Sequence, residues 1–314
     1  MLQQQGGLVQ LRIPAIILWL ALLAGAEETV RQPFLGVTHI HRTESAPRPI
    51  SMHLLKIDLT APGLSFKLSP RHSGPREALR QSTREFLQQE HAQLAINAHF
   101  FVPFPSTDPD ADLVGLAASQ GDVYSTFEQP AQSYALVNRA PALNIDAGNH
   151  ASLVLADAEG KPVSAGVTLH NALSGSAQII TAGVVTIPVY RDDQHPDGLL
   201  TPGGPGNYSN ARSWYEIPNA RTIAGLSEDR RTLFLFTIDN AGGSRGLTVT
   251  EAATLLLRDY AVHDALNLDG GGSVTLVEEN AQGEPELVNV SSDNPNGRIV
   301  ATSLAIFARR PPQE

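Results

Sequence analysis

The chain has 314 residues, 42% apolar and 17% charged, with a formal net charge of −10 and no cysteine. That balance is ordinary for a folded chain and unlike a disordered one, and the length allows a core that stands without disulfides. The acidic charge argues against nucleic acid as the main partner, and the missing thiols exclude disulfides, thiolate metal sites, a cysteine nucleophile and a cysteine-borne lipid anchor.

The N-terminus reads as a separate object. Arg12 precedes the apolar run Ile13 to Ala24, and Ala24-Gly25-Ala26 offers a small-x-small cleavage site. The run is too short to span a bilayer comfortably. The expectation is a signal peptide over residues 1–26, a mature domain over 27–314, a periplasmic or secreted location and no stable membrane anchor. N-terminal sequencing of exported protein should then begin at Glu27, and a start at Met1 refutes cleavage.

His39-x-His41 sets two imidazoles on one strand face with no third ligand evident, so a solvated face is expected. His53 to Leu59 alternates as a strand and is closed by Ala61-Pro62-Gly63. Arg76 to His91 reads as a helix with Leu79, Phe86 and Leu87 on one side. It feeds a strand Leu94 to Phe101 in which Asn97, His99 and Phe101 share a face. Residues 102–112 read as a Pro/Asp loop. Within it, Asp108-Pro109-Asp110-Ala111-Asp112 begins like a calcium loop but carries Leu113 where a sixth-position glycine is required, so no metal site is assigned.

Strands are expected near 134–138, 151–156, 178–186 and 232–239. Residues 191–220 form a long loop, rich in Gly, Pro and Asn from Gly198 to Asn210. Tyr208, Trp214 and Tyr215 on it either offer a stacking platform for sugars or pack the loop onto its own domain. Thr248 and Glu251 form a capping box for a helix reaching about Tyr260. The fold class expected is α+β, a single sheet-rich domain with a few helices on mixed or antiparallel sheets.

The most informative stretch is Ala265-Leu266-Asn267-Leu268-Asp269-Gly270-Gly271-Gly272-Ser273. Alternation sends Leu266 and Leu268 to the core, and Asn267 and Asp269 to a polar edge. Three successive glycines suggest positive φ or close approach to the backbone, and the N–H groups of such a turn can cradle an anion. A plain tight turn is the alternative. Ser273 as a hydrolase nucleophile is weak, because Val274-Thr275 follow where the nucleophile elbow needs x-Gly.

Those residues also carry a resemblance. In order come Arg221-Thr222-Ile223-Ala224-Gly225, the strand Leu233 to Asp239, the helix start Thr248 to Ala253, and Ala265 to Ser273. Upstream, Ala95-Ile96-Asn97-Ala98-His99-Phe100-Phe101 is similar to an Ala-Ile-Asn-Gly-Gly-Phe-Phe element; downstream, Arg298 to Leu304 fits a closing strand. The set, spanning about residues 35 to 308, resembles the phosphodiester glycosidase family. Ala98-His99 in place of Gly-Gly, and Ile223-Ala224 in place of Ala-Ile, are its departures.

The resemblance implies an exported hydrolase acting on a sugar-1-phosphodiester, with a glycan or sugar phosphodiester as partner and no cofactor. Such a bond expels a phosphate monoester, already a stable anion, so anion stabilisation matters more than protonating the leaving group. Asp269 is the expected nucleophile or base, and Asp239 the second carboxylate. Arg221 and the Gly270, Gly271, Gly272 turn would meet the phosphate, with Ser273 beside them. Asn97, Thr222 and Asn267 would orient substrate oxygens. His99 is either an acid or a structural histidine. Tyr208 and Trp214 are the sugar-stacking candidates. A non-catalytic glycan-binding protein on the same scaffold is the alternative.

Overall fold

The structure, a computed structural model, describes residues 26–127, 140–157, 159–163, 166–187 and 217–312. The segment before residue 26, the strand expected near 134–138, and Tyr208, Trp214 and Tyr215 lie outside the described residues.

An eight-stranded sheet organises the molecule. Its order is Ala26–Phe34, Val37–Glu44, Ile50–Asp58, Thr232–Ile238, Arg221–Leu226, Asp264–Asn267, Ala177–Thr181 and Val184–Val185, every pair antiparallel. The strand Thr232–Ile238 is an almost unbroken apolar run because both of its faces are covered. Leu233 and Leu235 enter one core cluster, while Phe234, Phe236 and Ile238 enter another.

The first cluster fills the space between this sheet and a five-stranded one, ordered Pro285–Leu287, Leu276–Glu279, Leu94–Asn97, Ser303–Phe307 and Ser65–Leu68. A six-stranded sheet that includes Ala142–Ile145 and Asn171–Ser174 closes one end of it with Leu143, Ile145 and Leu173. On the outer face of the five-stranded sheet lies helix α1, Thr83–Glu90, where Phe86 and Leu87 meet Ala95, Val277 and Ala305. Helix α2, Val249–Tyr260, covers the outer face of the eight-stranded sheet through Val249, Ala252, Ala253 and Leu256. The result is four layers, helix–sheet–sheet–helix, and an α+β fold. Each large side chain closed in this way stabilises the fold by about 2 kcal/mol.

Local chemistry explains where the elements begin and end. Thr248 caps α2 and exchanges hydrogen bonds with Glu251, as expected. Helix α1 is shorter than the expected Arg76–His91, because Ser82 and Glu85 form a second capping box that starts it at Thr83. The residues before the cap are extended: Ala78–Leu79 pairs with Asp110–Leu113, and Gln81–Ser82 with Ile299–Val300. The expected strand 178–186 is a hairpin, turned at Ala182 and Gly183 with φ of +49° and +73°. The strand expected to reach Phe101 stops at Asn97, where Ala98 N turns to Thr302 O (3.1 Å).

Gly175, between the strands Asn171–Ser174 and Ala177–Thr181, shows how tightly the sheets join. A Cβ there would lie 2.1 Å from the carbonyl oxygen of Asn267. Gly175→Ala should therefore cost about 3 kcal/mol, read as a lower urea midpoint with an unchanged m-value. An unchanged midpoint would show that these strands separate freely.

Candidate active site

Antiparallel pairing brings distant residues to one end of three neighbouring strands. Arg221 opens its strand opposite Ile238, and Asp239 follows Ile238 directly. On the other side Ile223 pairs with Asn267, and the chain then continues along the same neighbour. Leu268 N donates to Thr222 O (2.8 Å), Asp269 N to Ala98 O (3.0 Å) and Gly271 N to Ala220 O (2.9 Å). Leu266 and Leu268 are in the core, as alternation requires.

Asn97 is the clamp of this region. It is fully buried; Nδ2 donates to the Asp269 carbonyl (2.7 Å), and Oδ1 accepts from Thr222 Oγ1 (2.8 Å) and Thr275 N (3.1 Å). Asn97 Oδ1 and one Nδ2 proton thus join Thr222, Thr275 and the Asp269 backbone, and the two residues predicted to orient substrate oxygens also brace the strand end that carries Asp269. Asn267 is also buried, with Nδ2 donating to Ser176 Oγ (2.8 Å) and Oδ1 left unpartnered.

The two carboxylates sit in dry surroundings. Burial pushes the Asp269 carboxyl up to about 7, against the pull of Ser273, the Arg298 guanidinium and the Gly270 N–H. Asp239 is pushed up to about 6 by burial, while its Oδ1 accepts from Asn289 Nδ2 and Val290 N, both at 3.2 Å. Its Oδ2 is buried without a hydrogen bond.

Arg221 is 3% exposed and, among the described residues, its guanidinium donates to carbonyls, Nε to Leu247 O (3.2 Å) and Nη2 to Ile217 O (2.6 Å). Among the described residues no carboxylate lies within ion-pair distance of it, and desolvation lowers it to about 10. The Gly270 backbone packs over it, a Cβ on Gly270 falling 3.9 Å from Arg221 Cδ. A buried cation lacking a counter-ion is an attractor for an anion.

The glycine turn expected to cradle an anion commits two of its N–H groups within the fold. Only Gly271 has a positive φ, +60°. Its N–H goes to Ala220 O, and the Gly270 N–H serves the Asp269 carboxylate, so Gly272 supplies the one glycine donor left over among the described residues. Gly272 also lets a guanidinium pass, since a Cβ there would stand 2.2 Å from Arg298 Nη2. Arg298 lies over the Phe104 ring at 4.8 Å, bonds Asp293 through Nε (2.9 Å) and reaches Ser273 Oγ (3.4 Å). Arg298 and Asn289 were not named from the sequence as site residues. Arg298 was visible as the first residue of the closing-strand element, whereas nothing local marks Asn289.

His99 is 1% exposed, with Nδ1 against Thr302 Oγ1 (2.9 Å) and Nε2 between Leu116 O (3.1 Å) and Ser174 N (3.0 Å). Burial lowers it to about 4. Both nitrogens are occupied, so of its two readings the structural one fits. The carboxylates Asp108, Asp110 and Asp112 surround the Arg76 guanidinium at 3.3, 4.0 and 3.7 Å.

The model of the phosphodiester glycosidase family matches residues 90–307, a span that holds Asn97, His99, Arg221, Asp239, the glycine turn with Asp269, and Arg298. The chain belongs to that family. No curated protein matches it. Among solved structures it is similar to the catalytic domain of zebrafish N-acetylglucosamine-1-phosphodiester alpha-N-acetylglucosaminidase, auto-inhibited by its pro-peptide. That likeness has 20% identity, 91% of this chain and 89% of that one covered, and a TM-score of 0.58. A Burkholderia pseudomallei protein provisionally described as exported gives 13% identity, 97% and 100% coverage and a TM-score of 0.60. A hypothetical protein from Synechocystis gives 14% identity and a TM-score of 0.58; the alignment covers 87% of this chain but 62% of that protein, less than two thirds of its length. At these identities the likeness is one of fold.

Proposed function

We propose that this phosphodiester glycosidase family member is a periplasmic or secreted hydrolase cleaving the bond between a sugar anomeric carbon and a phosphodiester in an envelope or environmental glycan. The observation that carries this reading is Arg221: a buried guanidinium with no carboxylate partner among the described residues, packed under the Gly270 backbone at the strand end that also leads into Asp239. A phosphate diester supplies negative charge to Arg221, and Arg298, whose guanidinium acts on the Asp269 carboxyl and reaches Ser273, would share it. Asp269, the more exposed carboxylate at 9%, is then the nucleophile on the anomeric carbon or the base that activates water. The departing phosphate monoester leaves as an anion stabilised by the arginines.

The zebrafish relative acts on an N-acetylglucosamine-1-phosphodiester, which supports the substrate class, and the exported description of the Burkholderia relative supports the location. The test incubates the protein with a panel of sugar-1-phosphodiesters and follows released reducing sugar. Arg221→Lys keeps the charge but loses the two-pronged fork and its carbonyl contacts, so KM should rise about tenfold with a slower kcat. A Lys variant matching the parent in both constants removes Arg221 from phosphate recognition. Glycan binding without any turnover would point to a binding module.

A further inference from the structure

The side chain of Asn289 binds groups from two separate segments. The residue is 5% exposed and leaves the strand Pro285–Leu287 just after Val288, whose N–H donates to Leu276 O (2.8 Å). Its amide then takes over from the ladder. Oδ1 accepts from Leu276 N (2.7 Å), and Nδ2 donates to Val274 O and to Asp239 Oδ1, both at 3.2 Å. The amide cannot be reversed, because the Leu276 N–H demands an acceptor at one end and the Val274 carbonyl a donor at the other. The second Nδ2 proton is thereby directed at the Asp239 carboxylate. Val290 N adds another donor to the same oxygen (3.2 Å).

The main chain of Asp239 is fixed independently. Its N–H donates to Ser51 O (3.0 Å), and its carbonyl accepts from Ser244 Oγ (2.6 Å), which itself accepts from Ser51 N (3.0 Å). Those bonds place the Cα but leave the carboxylate to be aimed about χ1 and χ2. Asn289 and Val290 do the aiming. Val274 to Leu276 are the residues that leave the glycine turn, so one amide ties the second carboxylate to the segment that starts at Asp269. Further along the same loop, Arg298 acts on the Asp269 carboxyl. Val288 also lines a cavity of about 500 Å³ together with His39, His41, His53, Arg31 and Glu278. The solvated face expected for His39-x-His41 is thus a pocket wall, with His39 at 3% and His53 at 5% exposure. Arg31 is taken there by Glu278 in a two-pronged pair (2.7 Å for Nη2), and among the described residues no charged group acts on the Asp239 carboxyl.

We propose that Asn289 is a positioning residue of the reaction: its amide sets the direction of the Asp239 carboxylate and locks it to the exit of the glycine turn. The inference rests on the reading above that Asp239 belongs to the reaction. Asn289 touches neither substrate nor reacting atoms and acts through Asp239 alone. By donating to Oδ1 it also favours the ionised carboxylate against the burial that opposes it.

Two variants test this role. Asn289→Ala removes all three bonds and should lower kcat about thirtyfold with KM within about twofold of the parent, since a misdirected carboxylate affects the chemical step more than binding. Asn289→Asp keeps an acceptor for Leu276 N, and with it the join to that strand, but turns a carboxylate toward Asp239 Oδ1. It should lose kcat at least as far, whereas a residue that only braces the fold would leave Asn289→Asp close to the parent. Independently of turnover, carbon-13 NMR follows the Asp239 carboxyl, which burial lifts to about 6 in the parent. Its titration should move to higher pH in Asn289→Ala, where a donor to the anion is lost, and higher again in Asn289→Asp, where two like charges meet. Parental kcat in Asn289→Asp, or an Asp239 titration that neither variant moves, overturns the proposal. If the parent cleaves no sugar phosphodiester, the functional reading fails, while the titration still decides whether Asn289 governs Asp239.

Discussion

Asp269→Asn is expected to slow turnover on the order of 10³-fold and, at the same time, to make the protein more stable above pH 7. Both effects follow from one environment. The carboxyl is 9% exposed and burial lifts it from an ordinary 3.8 to about 7. A group whose proton affinity is raised by folding contributes fully below its unfolded value and loses that contribution as pH rises through its folded value. Stability should therefore fall between about pH 4 and pH 7 as Asp269 ionises, by at most about 4 kcal/mol. Asn carries no such charge. The melting temperature of the variant should exceed that of the parent at pH 8, and the gap should close near pH 4. Catalysis runs the other way, since a nucleophile or base acts ionised, so the parent's kcat/KM should climb with pH through about 7. Arg298→Gln removes the positive charge that opposes burial and should push this limb to higher pH. A variant with parental turnover, or a melting gap independent of pH, would dismiss Asp269 as the reacting carboxylate.

How far this arrangement could be read in advance depends on which residues local pattern can reach. Leu266, Leu268 and Asp269 were legible because period-two alternation and a glycine stop are properties of one short segment. The Thr248–Glu251 cap was legible for the same reason, and the Ser82–Glu85 box carries the same signature. It was overlooked because the apolar spacing of Leu79, Phe86 and Leu87 imitates a longer helix. Extended pairing with Asp110–Leu113 overrides that spacing. The histidine pocket was not legible: His39-x-His41 shows two rings, and the third arrives through cross-strand register with His53, while Glu278 comes from another sheet. The same holds for Asn289 on Asp239 and for Arg298 over Phe104, contacts that exist only once separate loops are folded together. Asn97 shows what only folding supplies. Its polar place near Asp269 is legible in the sequence, whereas its three partners, two on Oδ1 and one on an Nδ2 proton, come from separate segments.

That amide supports the second large expectation, a loss of about 4 kcal/mol in unfolding free energy on Asn97→Ala. Truncation leaves the Asp269 carbonyl, the Thr222 hydroxyl and the Thr275 N–H without partners where no surface is exposed, and each orphaned group costs about 1–3 kcal/mol. Part of that returns if Thr222 rotates or water enters. The urea midpoint should drop with little change in m-value. Turnover should also fall, by about 10²-fold at temperatures where the variant is still folded, since the amide fixes the backbone from which the Asp269 carboxylate projects. Asn97→Asp separates the two roles. It keeps an acceptor for Thr222 and Thr275 but cannot donate to the Asp269 carbonyl unless protonated, and it adds a buried carboxylate beside Asp269. Its stability should approach the parent's at low pH and decline as pH rises, following the same sign as Asp269. An Asn97→Ala protein with the parent's urea midpoint would show that these strands are joined without the clamp. One that loses stability but keeps full turnover would leave Asn97 as a brace of the fold and assign the placement of Asp269 to its strand neighbours alone.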